Sequence, residues 1–188
     1  MADDDLPPNE DCGPVLTVLS TILIALVILT SGLRLVVRAR NRNLGWDDLF
    51  LALAASIAIA RWGIQVYQVT NLDNGKHRAY VSEENYEANN RLGWGAQLCL
   101  FSSICFLKLS IMLLILRIKD DRWLKRMLWV AMAGLVITNG GVIIILLAEC
   151  KPMGYWRSDA VCWEPKVRIY SIYFTIGESL LCLWWTGG

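Results

Sequence analysis

The sequence predicts an all-α protein: a polytopic bundle of five transmembrane helices with its N-terminus outside. Three observations predict it. The 188 residues are 55% apolar with a positive mean hydropathy, more apolar surface than a water-soluble core of this size consumes, so the surplus must face lipid. Five stretches reach the span of about 20 apolar residues that crosses about 30 Å of hydrocarbon at about 1.5 Å per residue. The charged residues fall almost wholly between those stretches.

Residues 1–13 read as an acidic outer tail, since Asp3, Asp4, Asp5, Glu10 and Asp11 precede any basic residue. A secretory signal instead opens on a basic region and carries a shorter apolar core, so the first stretch, 14–37, is expected to remain as an anchor. The transmembrane domain then fills 14–188, with further helices at 48–69, 95–116, 127–148 and 170–185. Asp47 and Asp48 open the second helix, where first-turn carboxylates accept free backbone amides and favour the helix dipole. Asn139, Gly140 and Gly141 are expected to interrupt the fourth near mid-membrane. Small residues there allow a neighbouring helix close approach, and an unwound segment lining a transport path is the alternative. The fifth stretch is the shortest.

Orientation follows from the basic residues. None precedes the first helix, whereas Arg34 lies at its end and Arg38, Arg40 and Arg42 follow it, and Arg117, Lys119, Arg122, Lys125 and Arg126 gather between the third and fourth. Both groups are therefore assigned to the cytoplasm. Trp46, Trp123 and Trp129 then lie near the inner interface and Trp94, Trp156 and Trp163 near the outer one, as aromatic belts do.

Three ionisable side chains, Arg61, Lys108 and Glu178, fall well inside the apolar stretches, and each needs a partner or an escape to water. Lys108 is expected to stretch toward Asp47 and Asp48, with capping alone as the competing role of that pair. Arg61 sits in the outer half, where snorkelling to the headgroups is favoured over a ligand role. Glu178, at similar depth, is expected to pair with Arg61, to be protonated or to face a wet cavity.

Cys12, Cys99, Cys150 and Cys162 fall at or beyond the outer face, an oxidising side, so disulfides are expected, and four cysteines allow three complete pairings. Cys105 and Cys182 read as buried apolar residues. The run from Cys150 through Trp156 to Cys162 reads as a loop pinned over the bundle. In the loop 70–91, Asn71, Asp73, Asn74 and Gly75 set a turn before His77. His77 is read as an exposed loop histidine in preference to a sensor. It is the sole histidine, and no close cysteine pair recurs at ligand spacing, so neither metal nor cofactor is expected. A net charge of +1 points away from nucleic acid. Walker, nucleophile-elbow, zinc-protease and glycosylation motifs are all missing, so enzyme chemistry has no foothold.

Certain groups of residues, taken together and in order, resemble the fungal rhodopsin-domain integral membrane proteins, a seven-helix, receptor-like family. They are Gly45, Trp46, Asp47 and Asp48; Gly75, Lys76 and His77; Lys108, Leu109, Ser110 and Ile111 with Arg117 and Ile118; and Cys150, Pro152, Trp156 and Cys162. The resemblance runs from about residue 32 to about 181. It implies five helices of a rhodopsin-like seven-helix arrangement, with helices six and seven lost and Glu178 standing where the family has an early acidic residue, typically aspartate, in helix five. It also implies a plasma-membrane receptor that detects an unidentified ligand at the outer face and couples to a cytoplasmic signalling protein through its basic inner loops. The alternatives are a transporter or channel component, with Arg61, Lys108, Asn139 and Glu178 along a polar path, and an inactive membrane fragment. No inverted repeat supports transport.

Overall fold

A computed structural model describes residues 12–77, 80–118, 122–148, 150–151 and 161–162, with 166, 169–170, 173–174 and 177 as isolated positions. Four helices carry the architecture: α1 (Gly13–Arg40), α2 (Trp46–Asn71), α3 (Glu83–Ile118) and α4 (Arg122–Ala148). All four are long and apolar enough to cross a membrane, and at most 28% of any apolar window is buried inside the protein. The exposed remainder includes Val18, Leu29, Val36, Val130, Ile137 and Ile144, an apolar surface that water would not tolerate and lipid solvates. The protein is therefore a multi-pass membrane protein.

Neighbours in sequence are neighbours in space, and the α2–α3 contact is the most extensive. Phe50 stacks on Phe106 with ring centroids 5.9 Å apart, and Ser103 donates a hydrogen bond to the Ala54 carbonyl at 3.0 Å. Helix α1 meets α2 through Trp62 Nε1 to Thr21 Oγ1 at 3.2 Å and Gln65 Nε2 to Ser20 Oγ at 2.8 Å. Met112, Leu128, Met132 and Leu135 form one core cluster between α3 and α4, and Phe101, Val142 and Leu146 form a second. Trp94 Nε1 adds a 3.1 Å bond to the Leu146 carbonyl. Beyond α4, β1 (Cys150–Lys151) and β2 (Val161–Cys162) pair antiparallel with Cys150 opposite Cys162.

Helix α3 departs most from expectation. It begins at Glu83 rather than near residue 95, and its 36 residues extend roughly 54 Å, well past a hydrocarbon layer of about 30 Å. An apolar-window reading stops where residues 83–94 turn polar, yet that segment stays helical because Glu83 and Glu84 occupy its first turn, where acids favour the dipole. Gln68 also bonds to Asn89 at 2.6 Å from the end of α2. A second correction concerns α4, which runs unbroken through Asn139, Gly140 and Gly141. Asn139 turns its amide N–H onto its own helix, donating to the Leu135 carbonyl at 2.9 Å. A Cβ added at Gly140 or Gly141 meets nothing within 4 Å, so among the described residues neither glycine serves close packing. The predicted fifth helix falls largely on residues outside those described.

Ile137, at mid-length of α4 and 72% exposed, tests which solvent this surface meets. Ile137→Asp is expected to lower the membrane-inserted fraction of α4 by an amount equivalent to about 3 kcal/mol in a glycosylation-reporter insertion assay. Unchanged insertion would mean that Ile137 faces water.

Candidate functional site

One end of the bundle gathers the arginines, and there the sequence places two carboxylates. The turn from α1 to α2 is tight, with Arg42 left-handed at φ 50° and Gly45 extended at the N-cap of α2. Asp48, at the third helical position, reaches back to accept the Gly45 backbone N–H at 3.1 Å, so the capping expected of this pair is present. Yet Asp47 and Asp48 are only 3% and 2% exposed, and two buried negative charges require more than a cap.

The compensation comes from arginines on two other helices. Arg34 and Arg38, one turn apart on α1, share a face. Arg34 lies 3.0 Å from Asp47 and 3.5 Å from Asp48. Arg38 bonds to Asp47 and, at 3.1 Å, to Asp48. From α3, Arg117 reaches Asp47 at 3.4 Å and Asn43 at 3.0 Å. Ser110, fully buried, donates to the Asp47 carbonyl at 2.7 Å. Asp47 thus joins α1, α2 and α3 at a single residue, and three guanidinium groups outnumber two carboxylates by one charge. A cavity of about 370 Å3 opens beside the cluster, lined by Arg38, Asn41, Asn43, Arg117 and Ile118. A Cβ at Gly45 would lie 2.5 Å from an Asp47 carboxylate oxygen and 2.8 Å from an Arg117 nitrogen, so glycine is needed for this close approach.

The expected Lys108–aspartate pairing does not form. Arginines already fill the carboxylates, and Lys108 Nζ is buried without a hydrogen-bond partner among the described residues. Asn139 Oδ1 is likewise buried and unsatisfied. Arg61 lies toward the opposite end of α2, far along the helix from the cluster, against a separate cavity. Cys12 and Cys99 are free thiols, so none of the three complete disulfide pairings forms. Cys12 is exposed at the start of α1, and Cys99 lies within α3. The Cys150 and Cys162 side chains, Trp156 and Glu178 lie outside the described residues. His77 is exposed, as expected, in the loop between α2 and α3, beside a turn built by Gly75 at φ 120° and the Asp73–Lys76 ion pair at 2.6 Å. The Gly75 carbonyl accepts the Cys12 backbone N–H at 3.2 Å, tying that loop to the start of α1.

Sequence reasoning used Arg34 and Arg38 only for orientation, and Arg117 for orientation and the family resemblance, and missed all three as partners of the aspartates. The legible signal was the four-residue spacing of Arg34 and Arg38 on one helical face, a short turn before an adjacent aspartate pair.

Two substitutions check these assignments. Gly45→Ala is expected to displace Arg117 from Asp47 and lower the melting temperature in micelles, with no further loss when combined with Arg117→Gln. Lys108→Met, which removes a buried donor lacking a partner, is expected to stabilise the fold by about 1–3 kcal/mol in chemical unfolding. A loss of stability would show that the ammonium is satisfied.

A family model, the fungal rhodopsin domain, matches residues 33–176, a span that holds every member of the arginine–aspartate cluster. No curated protein and no solved structure matches the sequence. The pieces that carry the resemblance at the start of α2 and the end of α3 meet in space at Asp47. The chain belongs to the fungal rhodopsin domain family.

Proposed function

We propose that this protein is a receptor-like, non-enzymatic component of the plasma membrane, with its arginine-rich end in the cytoplasm and its N-terminus outside. In this reading it has five spans, the last within 170–185. The orientation rests on the gathering of Arg34, Arg38, Arg40, Arg42 and Arg117 at one end, the side that positive-inside bias assigns to the cytoplasm. The observation that carries the functional reading is the buried cluster through which Asp47 holds α1, α2 and α3 together beside an open, basic cavity.

A switch needs a discrete element with two arrangements that a ligand can bias. The cluster suits that role because its strength lies in short charge-assisted contacts between separate helices, which are lost together when the helices shift. Its surplus positive charge and the adjoining cavity suit an acidic segment of a cytoplasmic signalling protein. The runner-up reading, transport along a polar path, loses the broken fourth helix on which it drew, since α4 is continuous.

The test is nucleotide exchange on a heterotrimeric G protein by the full chain in nanodiscs. Asp47→Asn is expected to change the basal exchange rate severalfold, while Ile137→Val, on the lipid-facing surface, leaves it unaltered. If neither the wild type nor Asp47→Asn alters exchange relative to empty nanodiscs, the receptor reading fails. An N-terminal epitope that is labelled only after permeabilisation would overturn the orientation.

A further inference from the structure

The end of the bundle opposite the arginine–aspartate cluster holds a second, open cavity of about 480 Å3, lined by residues of α1, α2 and α3, within the range of small-molecule sites. Its lining is unusual for a bilayer-embedded bundle. Six carboxamide residues line it, Gln65, Gln68, Asn74, Asn89, Asn90 and Gln97, together with Arg61, and no acidic residue does. Arg61 has no hydrogen bond or ion pair among the described residues, in contrast to Arg34, Arg38 and Arg117.

Some of the amides are committed. Gln65 donates to Ser20 at 2.8 Å, and Gln68 donates to the Asn89 side chain at 2.6 Å and to its carbonyl at 2.9 Å. These bonds fix the walls, because each one ties together two of the helices that line the space. Neither the Gln97 nor the Asn74 side chain makes such a bond among the described residues, so these two and Arg61 are the groups left to address an occupant. A permanently charged guanidinium at membrane depth is costly unless it meets water or an anion, and it binds planar oxyanions through paired N–H donors. Simple snorkelling explains one long basic side chain; it does not explain why carboxamides from two helices converge on the same space.

We propose that this cavity binds a small, polar organic molecule carrying a single carboxylate, with Arg61 taking the carboxylate and Gln97 the adjoining polar groups. One cation balances one negative charge, so a dianionic phosphate or dicarboxylate would leave a charge unpaired. The polar walls disfavour an apolar ligand, whose burial would leave Arg61, Asn74 and Gln97 without partners. The inference deepens the receptor reading by naming its ligand class and rests on it only for biological purpose, since binding is measured without signalling.

The experiment titrates the full chain, in dodecyl maltoside micelles and separately in phosphatidylcholine nanodiscs, with N-acetylglutamine, gluconate and benzoate, each against its neutral primary amide. At least one acid is expected to bind about tenfold or more tightly than its amide in both environments. Arg61→Gln removes that preference and Arg61→Lys keeps part of it. Ala96→Leu, which narrows the cavity and leaves Arg61 in place, weakens binding of acid and amide alike and decides the matter should Arg61→Gln fail to fold. Absence of any acid preference overturns the proposal, as does a preference that persists in Arg61→Gln. A preference seen in micelles and lost in nanodiscs also overturns it, by placing a lipid phosphodiester on Arg61. Carboxylate binding without any effect on G-protein exchange would leave the site standing and remove the receptor reading alone.

Discussion

Asp47 and Asp48 are almost wholly buried carboxylates at the end of a bundle whose spans expose many apolar side chains, and the arrangement of α1, α2 and α3 depends on how those charges are met. An uncompensated buried carboxylate costs several kcal/mol, so α2 cannot sit where it does without arginines beside it. Arg34 and Arg38 bring α1 to the pair, and Arg117 brings α3. In lipid the hydrophobic effect does not press one helix against another, so association falls to close packing and polar contacts. The cluster supplies such contacts at one end, the Ser103 bond and the Phe50–Phe106 stack supply them along α2 and α3, and Trp94 does so where α3 meets α4.

How much of this was legible from the residues follows from what each signal measures. Length and hydropathy located the four described spans because lipid imposes a minimum apolar run, and the ends of α1, α2 and the C-terminal end of α4 fell close to where that run stops. The same signal was blind to the first turns of α3, where helix persists on polar residues held by Gln68 and by first-turn glutamates. Asn139 and its glycines read as a break because their intrinsic helix propensity is low. An asparagine that donates to its own helix, flanked by apolar turns with no water to compete, stays helical.

The aspartate pair shows the difference between detecting a charge and assigning its partner. Sequence depth singled out Lys108 as the nearest intramembrane cation, but depth says nothing of azimuth, and the geometry gives both carboxylates to arginines that sequence reasoning had spent on orientation. Arg61 shows the converse, for it was read as a solitary basic residue reaching for headgroups. Only the fold reveals that Gln65, Gln68 and Asn89, unremarkable in the sequence, converge on the same space. On the proposed reading, α2 and α3 line that cavity at one end and hold the ionic cluster at the other. Displacement of either helix by a ligand would therefore be felt at Asp47 through their shared packing.

The measurement that bears most directly on the central claim is a double-mutant cycle between α1 and α2, using Asp47→Asn, Arg38→Gln and the double variant, read by chemical unfolding in mixed micelles. Contact in one buried network is expected to give a coupling of about 1.5 kcal/mol or more, with the double variant well above the sum of the singles. Effects that add to within about 0.5 kcal/mol would mean that the two side chains do not hold the helices together.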